Sequence, residues 1–214
     1  MHKLDSELPQ GSPEWVLFRG KGIGSSDVGT IMGVNTYKTC RELWLEKTNQ
    51  KPPDDLSNNF FVNRGSQLEP LARDIFNERT DSHFTPATFV SEEYEFMRFS
   101  ADGVDFDKNE IIEIKCMMKK NHEKTIKENR PSESYYFQMQ WGLSITKAKV
   151  CHFIAYNPEY PEPMHVIEIL PDELAFRSMH LYAHWFWHCV TEMKDPDIYT
   201  LELFKADNPG LICT

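Results

Sequence analysis

The sequence predicts a mixed α/β domain with a central sheet flanked by helices. Helical patterns dominate the stretch before Ala87, and five short runs of strand-type residues follow it, interleaved with further helical patterns. No linker is long or flexible enough to divide the chain, so residues 1–214 read as one domain. The 214 residues, 40% of them hydrophobic, suffice for a sizeable core.

Each element has a local cause. Ser12, Pro13 and Glu14 give a capping serine, a proline at the first helical position and an acid, which predicts a helix to about Phe18. Gly20, Gly22 and Gly24 break it. Ser25 or Ser26 is then placed to cap a short helix through Met32. Thr39 and Glu42 form a capping box for a helix that carries Leu43, Trp44 and Lys47. Residues 51–59, polar and with two prolines, read as a loop. Leu68, Leu71, Ile75 and Phe76 recur at helical spacing, in a helix expected to begin within 64–66, with Pro70 near its first turn.

Residues 88–90, 96–99 and 111–116 are strand-like, with a hairpin turn at Asp107, Lys108 and Asn109. A polar helix over 121–128 and a helix from Ser132 through Leu143 come next. Strands over 149–156 and 164–170 follow, and Pro171, Asp172 and Glu173 open a long closing helix to about Met193.

Composition narrows the function. The longest apolar runs are broken by charge well short of the ~20 residues a bilayer crossing needs, and the N-terminal stretch has no signal-peptide core. The expectation is a soluble, unexported protein. Five scattered cysteines without a Cys-x-x-Cys pair point to reduced thiols rather than disulfides or structural zinc. A net charge of −10 argues against nucleic acid, but it is unevenly spread. Six basic and two acidic residues over 115–130 leave +4 there and −14 elsewhere. That window is either a surface that holds DNA or a solvated helix face.

The chemistry centres on one strand. Glu113 and Lys115 alternate onto one face, with Ile112 and Ile114 on the other. A carboxylate and an ammonium are costly to bury there without compensation. Asp102, expected just after the preceding strand, would converge on Glu113 through the hairpin. Two carboxylates make a hard-oxygen site of the kind magnesium prefers, and the backbone carbonyl of Ile114 could add a ligand. Lys115 could orient a water or stabilise charge developing on phosphate. A surface salt bridge is the competing reading. The Gly22–Gly24 turn allows close backbone approach, and Ser25 and Ser26 at a helix start suit an anion, unless they are only a cap.

With these residues in place, the chain resembles the PD-(D/E)XK nuclease superfamily and, within it, the λ-exonuclease family of phage recombination nucleases, the YqaJ-like viral recombinases. Four segments carry the resemblance in order: RGKGIGSSDVGTIMG from Arg19, RGSQLEP from Arg64, SADGVDFDKNEIIEIK from Ser100, and YFQMQW from Tyr136. Ala101 departs from the proline of the motif name, at a position that shapes a turn.

The resemblance implies a restriction-endonuclease-like core. It implies Asp102, Glu113 and Glu69 at the metal, with Lys115 as the catalytic lysine. It implies Arg19, Ser26 and Ser100 around a 5′-phosphate, and a glutamine that matches Gln140 better than Gln138. On a helix those two point ~200° apart, so only one faces the site. Lys119, Lys120, Lys124 and Lys127 would line a DNA path by touching phosphates.

The implied activity is 5′-to-3′ exonucleolytic digestion of double-stranded DNA ends with Mg²⁺, or Mn²⁺ in its place, in the bacterial host cytoplasm. A toroidal homotrimer and a phage single-strand annealing protein are the implied partners. An endonuclease or nickase on the same fold and a non-catalytic end-binding protein are the alternatives. His180, His184 and His188 share a helical face but sit among Trp185, Phe186 and Trp187, so packing is favoured over metal binding. Asp102, Asp105 and Asp107 lack the glycine and glutamate spacing of a calcium loop and suit a turn.

Overall fold

In the computed structural model, which describes residues 2–3, 8 and 12–212, local sequence signals set most helix starts. Ser12 caps α1 (Pro13–Gly20), and its hydroxyl accepts from the Trp15 N–H at 3.1 Å. The Thr39–Glu42 capping box opens α3 (Cys40–Lys47). Ser132 caps α6 (Glu133–Thr146), and Asp172 caps α7 (Glu173–Thr191). Between α1 and α3, α2 (Ser25–Ile31) departs from expectation. Its cap is Gly24, not a serine, because the Asp27 carboxylate reaches back to accept the Gly24 N–H at 3.0 Å.

The helix that carries Glu69 begins earlier than expected. Asn59 caps α4 (Phe60–Thr80) by accepting from the Phe61 and Val62 N–H groups. The first turn holds Phe60, Phe61 and Val62, all exposed, so no inward apolar stripe marks it. Pro70 therefore lies in mid-helix and cannot donate to the Ser66 carbonyl, just after Glu69.

Among the described residues six strands form one sheet in the order β1-β2-β3-β4-β5-β6. They are β1 (His2–Lys3), β2 (Thr85–Val90), β3 (Arg98–Asp105), β4 (Glu110–Cys116), β5 (Val150–Tyr156) and β6 (Met164–Ile169). Neighbours are antiparallel except β4 and β5, whose parallel pairing is linked through α5 (Lys119–Glu128) and α6. Phe96 and Met97 fall before β3, where Met97 bridges Ile23. Strand β1, α8 (Leu201–Asp207) and a 3₁₀ turn (Pro209–Ile212) were not expected, so α7 does not close the chain.

The mixed sheet flanked by helices is the predicted fold class. Its α4 face buries Ala72, Phe76, Phe84, Ile112, Ile114 and Ile154. The opposite face buries Ile111 and Phe153 together with residues of α2, α6 and α7, including the fully buried Trp141 and Phe186. At ~25 cal/mol per Å² of apolar surface, this two-sided burial is the main force that holds β4 at the centre. Among the described residues no helix is long and apolar enough to cross a membrane.

Candidate active site

The β3–β4 hairpin turns where the sequence placed it, with Asn109 in the left-handed region at φ 54°. Asp105 serves that turn by accepting the Lys108 N–H at 2.9 Å. Asp102 lies inside β3 rather than after a strand. Ala87 pairs with Ala101 and Thr85 with Val104, so β3 carries one extra residue over the stretch that includes Asp102 and Gly103. Such a bulge re-aims side chains. The β3–β4 ladder starts only at the Gly103–Ile112 pair. Beyond it the Ile114 N–H donates to the Asp102 carboxylate at 2.7 Å. Gly103 is required there, since a Cβ would stand 2.7 Å from Ile112.

Glu113 is 2% exposed. Its Oε1 accepts from Gln138 Nε2 at 2.7 Å and lies 2.5 Å from the Lys115 ammonium, which also sits 5.0 Å from the Tyr135 ring centre. Glu69 reaches in from α4, paired with Arg73 one turn on at 3.2 Å. Arg73 donates as well to the Asp102 backbone carbonyl, which ties α4 to the bulge. Sequence reasoning missed Arg73, although its i,i+4 spacing from Glu69 was a usable signal.

Burial, then the neighbouring Asp102, pushes the Glu113 carboxyl up to about 8 and the Glu69 carboxyl to about 7. Burial opposes the Lys115 charge, but Glu113 and Asp102 outweigh it and hold the lysine above its usual value. Lys115 pairs with Glu113 and Arg73 with Glu69, yet burial and the neighbouring Asp102 still hold both carboxyls above their usual values. Among the described residues no group of three or more His, Cys, Asp or Glu side chains forms a ready metal cage. Magnesium does not need one: it binds through one or two carboxylates, substrate phosphate and water. Asp102 and Glu113, with Glu69 alongside, fit such an ion.

A second cluster lies at the end of α1. The Arg19 guanidinium sits 4.7 Å from the Trp15 ring centre and donates to the Ser26 hydroxyl at 2.5 Å. Trp15 Nε1 donates to the Ser100 hydroxyl at 3.2 Å. The three residues expected around a terminal phosphate, Arg19, Ser26 and Ser100, are thus joined through Trp15, which the sequence reading did not single out.

Behind them Lys47 Nζ lies 2.8 Å from Asp27 and donates to the carbonyls of Arg19 and Gly22. Burial would raise the Asp27 carboxyl, but Lys47 and Arg19 pull it below its usual value. Because Asp27 occupies the start of α2, anion binding here falls to Arg19 and the hydroxyls rather than to helix amides.

A cleft of about 190 Å³ joins the clusters, lined by Arg19, Ser26, Ser100, Glu69, Asp102, Glu113, Ile114 and Lys115 among others. A wider cleft of about 560 Å³ shares Glu69, Ile114 and Lys115 with it and continues past Met117, Met118 and Asn121. Gln138, not Gln140, faces the site. Gln140 is fully buried and points the other way, donating to the Leu170 carbonyl at 2.8 Å and accepting the Asp172 N–H at 3.0 Å. It holds the turn between β6 and α7, a consequence of the helical offset between positions 138 and 140.

Lys119, Lys120, Lys124 and Lys127 are exposed on α5 and line neither cleft. Lys119 and Lys124 face Glu123 and Glu128 at 3.8 and 4.0 Å. His180 and His184 pack on Tyr94, and His188 packs on Tyr199 and Phe204.

Comparison with known proteins gives the family and the fold. The model of the YqaJ-like viral recombinase domain matches residues 14–149. An uncharacterized YqaJ protein of Bacillus subtilis (strain 168) is 34% identical over 134 residues. That match takes in 62% of this chain and 41% of the relative, so the chain spans about two fifths of its relative's length.

Two crystal structures of an alkaline exonuclease from Laribacter hongkongensis, one in complex with dAMP, superpose with TM-scores of 0.75 and 0.74 at 23% identity. Each match covers 94% of this chain and all of the other. A phage-related exonuclease from Haemophilus somnus 129PT superposes with a TM-score of 0.57 at 15% identity, over 80% of this chain and 96% of that one. At these identities the superpositions establish the fold.

Proposed function

The chain belongs to the YqaJ-like viral recombinase domain family, and on that premise we propose that it is a Mg²⁺-dependent exonuclease, acting as one domain. It digests one strand of double-stranded DNA from a 5′-phosphorylated end and leaves a 3′ single-stranded overhang for recombination by strand annealing. One observation carries the reading. The cleft that holds Asp102, Glu113 and Lys115 also holds Arg19, Ser26 and Ser100. A group that hydrolyses phosphodiesters beside one that grips a phosphate suits an enzyme that works from ends. The fold relative crystallised with dAMP, a nucleoside monophosphate, is consistent with that chemistry.

When bound, Mg²⁺ supplies Lewis-acid stabilisation of the phosphoryl oxygens and a water of lowered pKa. Mn²⁺ is a substitute with the same ligands. Asp102, Glu113, Glu69 and the Ile114 carbonyl would hold it. Lys115, kept protonated by its acidic neighbours, stabilises charge as it develops on the phosphate. Gln138 fixes the Glu113 carboxylate, and Arg73 fixes the bulge. Arg19, Ser26 and Ser100 hold the terminal phosphate in the same cleft. The wider cleft and the α5 lysines receive the rest of the duplex through phosphate contacts that carry no sequence information. A ring of three copies in the bacterial host cytoplasm, handing its product to an annealing protein, completes the proposal.

The test is a digest of linear duplexes with 5′-phosphate or 5′-hydroxyl ends and of closed circles, with Mg²⁺ or EDTA. Fast loss of the phosphorylated duplex alone, abolished by EDTA, is expected. Equal rates on both ends, or cutting of circles, overturns the reading.

A further inference from the structure

Arg98 stands two residues before Ser100 on β3, ahead of the bulge, so alternation turns both side chains to the same side. Both line the cleft with Arg19 and Ser26. The Arg98 guanidinium lies 4.6 Å from the Phe18 ring centre, and Nη1 donates to the Phe18 carbonyl at 3.0 Å. Gly22 makes room for it. A Cβ there would lie 2.3 Å from the Phe96 carbonyl oxygen and 2.8 Å from Arg98 Nε. The side chain is therefore held in one place by a ring, a carbonyl and a bare backbone turn.

Its charge is not held in the same way. Arg98 Nε is buried without an acceptor, and Glu95, the acid whose charge bears on Arg98, forms no ion pair with it among the described residues. Arg19, by contrast, has Asp27 at 3.8 Å. A guanidinium does not shed its proton, so half-burying one without an anion is costly. A carbonyl cap for α1 alone would not require a charge. With Glu95 outside pairing distance and Nε unpartnered, the site fits an anionic ligand in the cleft.

The ligand's charge points the same way. A terminal phosphomonoester carries about −1.5 to −2 near pH 7, with a second pKa of about 6. An internal phosphodiester carries only one charge. Arg19 is partly offset by Asp27, which leaves the second charge without a partner unless Arg98 supplies it.

We propose that Arg98 is a second phosphate-gripping guanidinium, which reads the extra charge of a 5′-phosphomonoester and so sets the preference for phosphorylated ends. This rests on the end-directed nuclease reading above and goes beyond the residues that the family resemblance supplies.

Three linear duplexes test it, with a 5′-phosphate, a 5′-phosphate methyl ester of single charge, or a 5′-hydroxyl. Initial rates with Mg²⁺ are measured from pH 5.5 to 8. The native protein should prefer phosphate to its methyl ester about tenfold or more in kcat/KM, the size of one hydrogen bond to a charged group. That preference should shrink toward pH 5.5 as the phosphate gains its second proton. Arg98→Gln should bring the ratio close to one through KM and flatten its pH dependence, while Arg98→Lys should keep most of it.

An unchanged ratio in Arg98→Gln overturns the proposal. So does a native ratio near one between phosphate and methyl ester, a measurement that stands even if the glutamine variant does not fold. If the native protein discriminates phosphate from hydroxyl but either of those results is found, only the role of Arg98 fails. If it does not discriminate phosphate from hydroxyl, the end-directed reading fails and takes Arg98 with it.

Discussion

At the α1–α2 end of the cleft, the buried Asp27 has Lys47 at 2.8 Å and Arg19 at 3.8 Å, and its carboxyl is held below the usual range. At the β3–β4 end, the buried Glu113 has Lys115 at 2.5 Å, but burial and then the neighbouring Asp102 push its carboxyl up to about 8. Both ends bury acids beside cations, but only at the first is the acid's carboxyl pulled below its usual value. The difference teaches which end is built before ligand arrives. Around Asp27 the protein's own cations outweigh the cost of burial, whereas around Glu113 burial and the neighbouring acids outweigh Lys115.

The comparison can be broken most directly at Lys115. Lys115→Ala should cut turnover on every DNA end by about 10²- to 10³-fold, the usual loss when one preorganised electrostatic partner of the reacting group is removed. Single-turnover rates on phosphorylated and hydroxyl ends check this, and a loss confined to one of them would contradict it. Arg19→Ala should act differently, lowering the preference for phosphorylated ends by about 10- to 100-fold, as expected for one lost charge-assisted hydrogen bond. A uniform loss across ends would move Arg19 out of the grip.

Gln138 and Gln140 sharpen the boundary between site and scaffold. Gln140→Ala should cost about 1–3 kcal/mol in urea unfolding, because it leaves the Leu170 carbonyl and the Asp172 N–H unmatched. Gln138→Ala should instead slow turnover by freeing the Glu113 carboxylate, with little change in unfolding. The reverse pattern would return Gln140 to the site.

The smallest effect is in pH. Glu113 and Glu69 have folded values above the ordinary ~4.3, so in EDTA their penalty is absent below pH ~4 and grows as pH rises toward 8. Asp27, with its value lowered, contributes stability that is present above pH ~4 and lost only below it. Thermal unfolding in EDTA should therefore fall from pH 5 to 8, and Mg²⁺ should restore it most at pH 8. A flat profile, or restoration that is greatest at pH 5, would show that the acids do not share a cation.

Much of this site was legible because its chemistry is local. Glu113 and Lys115 on alternate positions of an apolar strand, and the capping box at Thr39, need only neighbours within a few residues. The Arg19, Ser26 and Ser100 set was legible through resemblance rather than through spacing. What stayed hidden depended on packing. The start of α4 carries exposed aromatics and so lacks a periodic signal. Trp15, Arg73 and Lys47 act on residues 85, 29 and 28 positions away, respectively.

By itself, then, the sequence determined the mixed α/β class, the turn at Asp107–Asn109 and the charged pair on β4, since each follows from short-range alternation, capping or turn chemistry. Only the tertiary structure decided that Asp102 sits in a bulge, that Gln138 rather than Gln140 meets Glu113, and that Arg98 lies in the cleft with no described acid paired to it. Those outcomes depend on strand register and on which helical face packs inward, and both are set by the whole core at once.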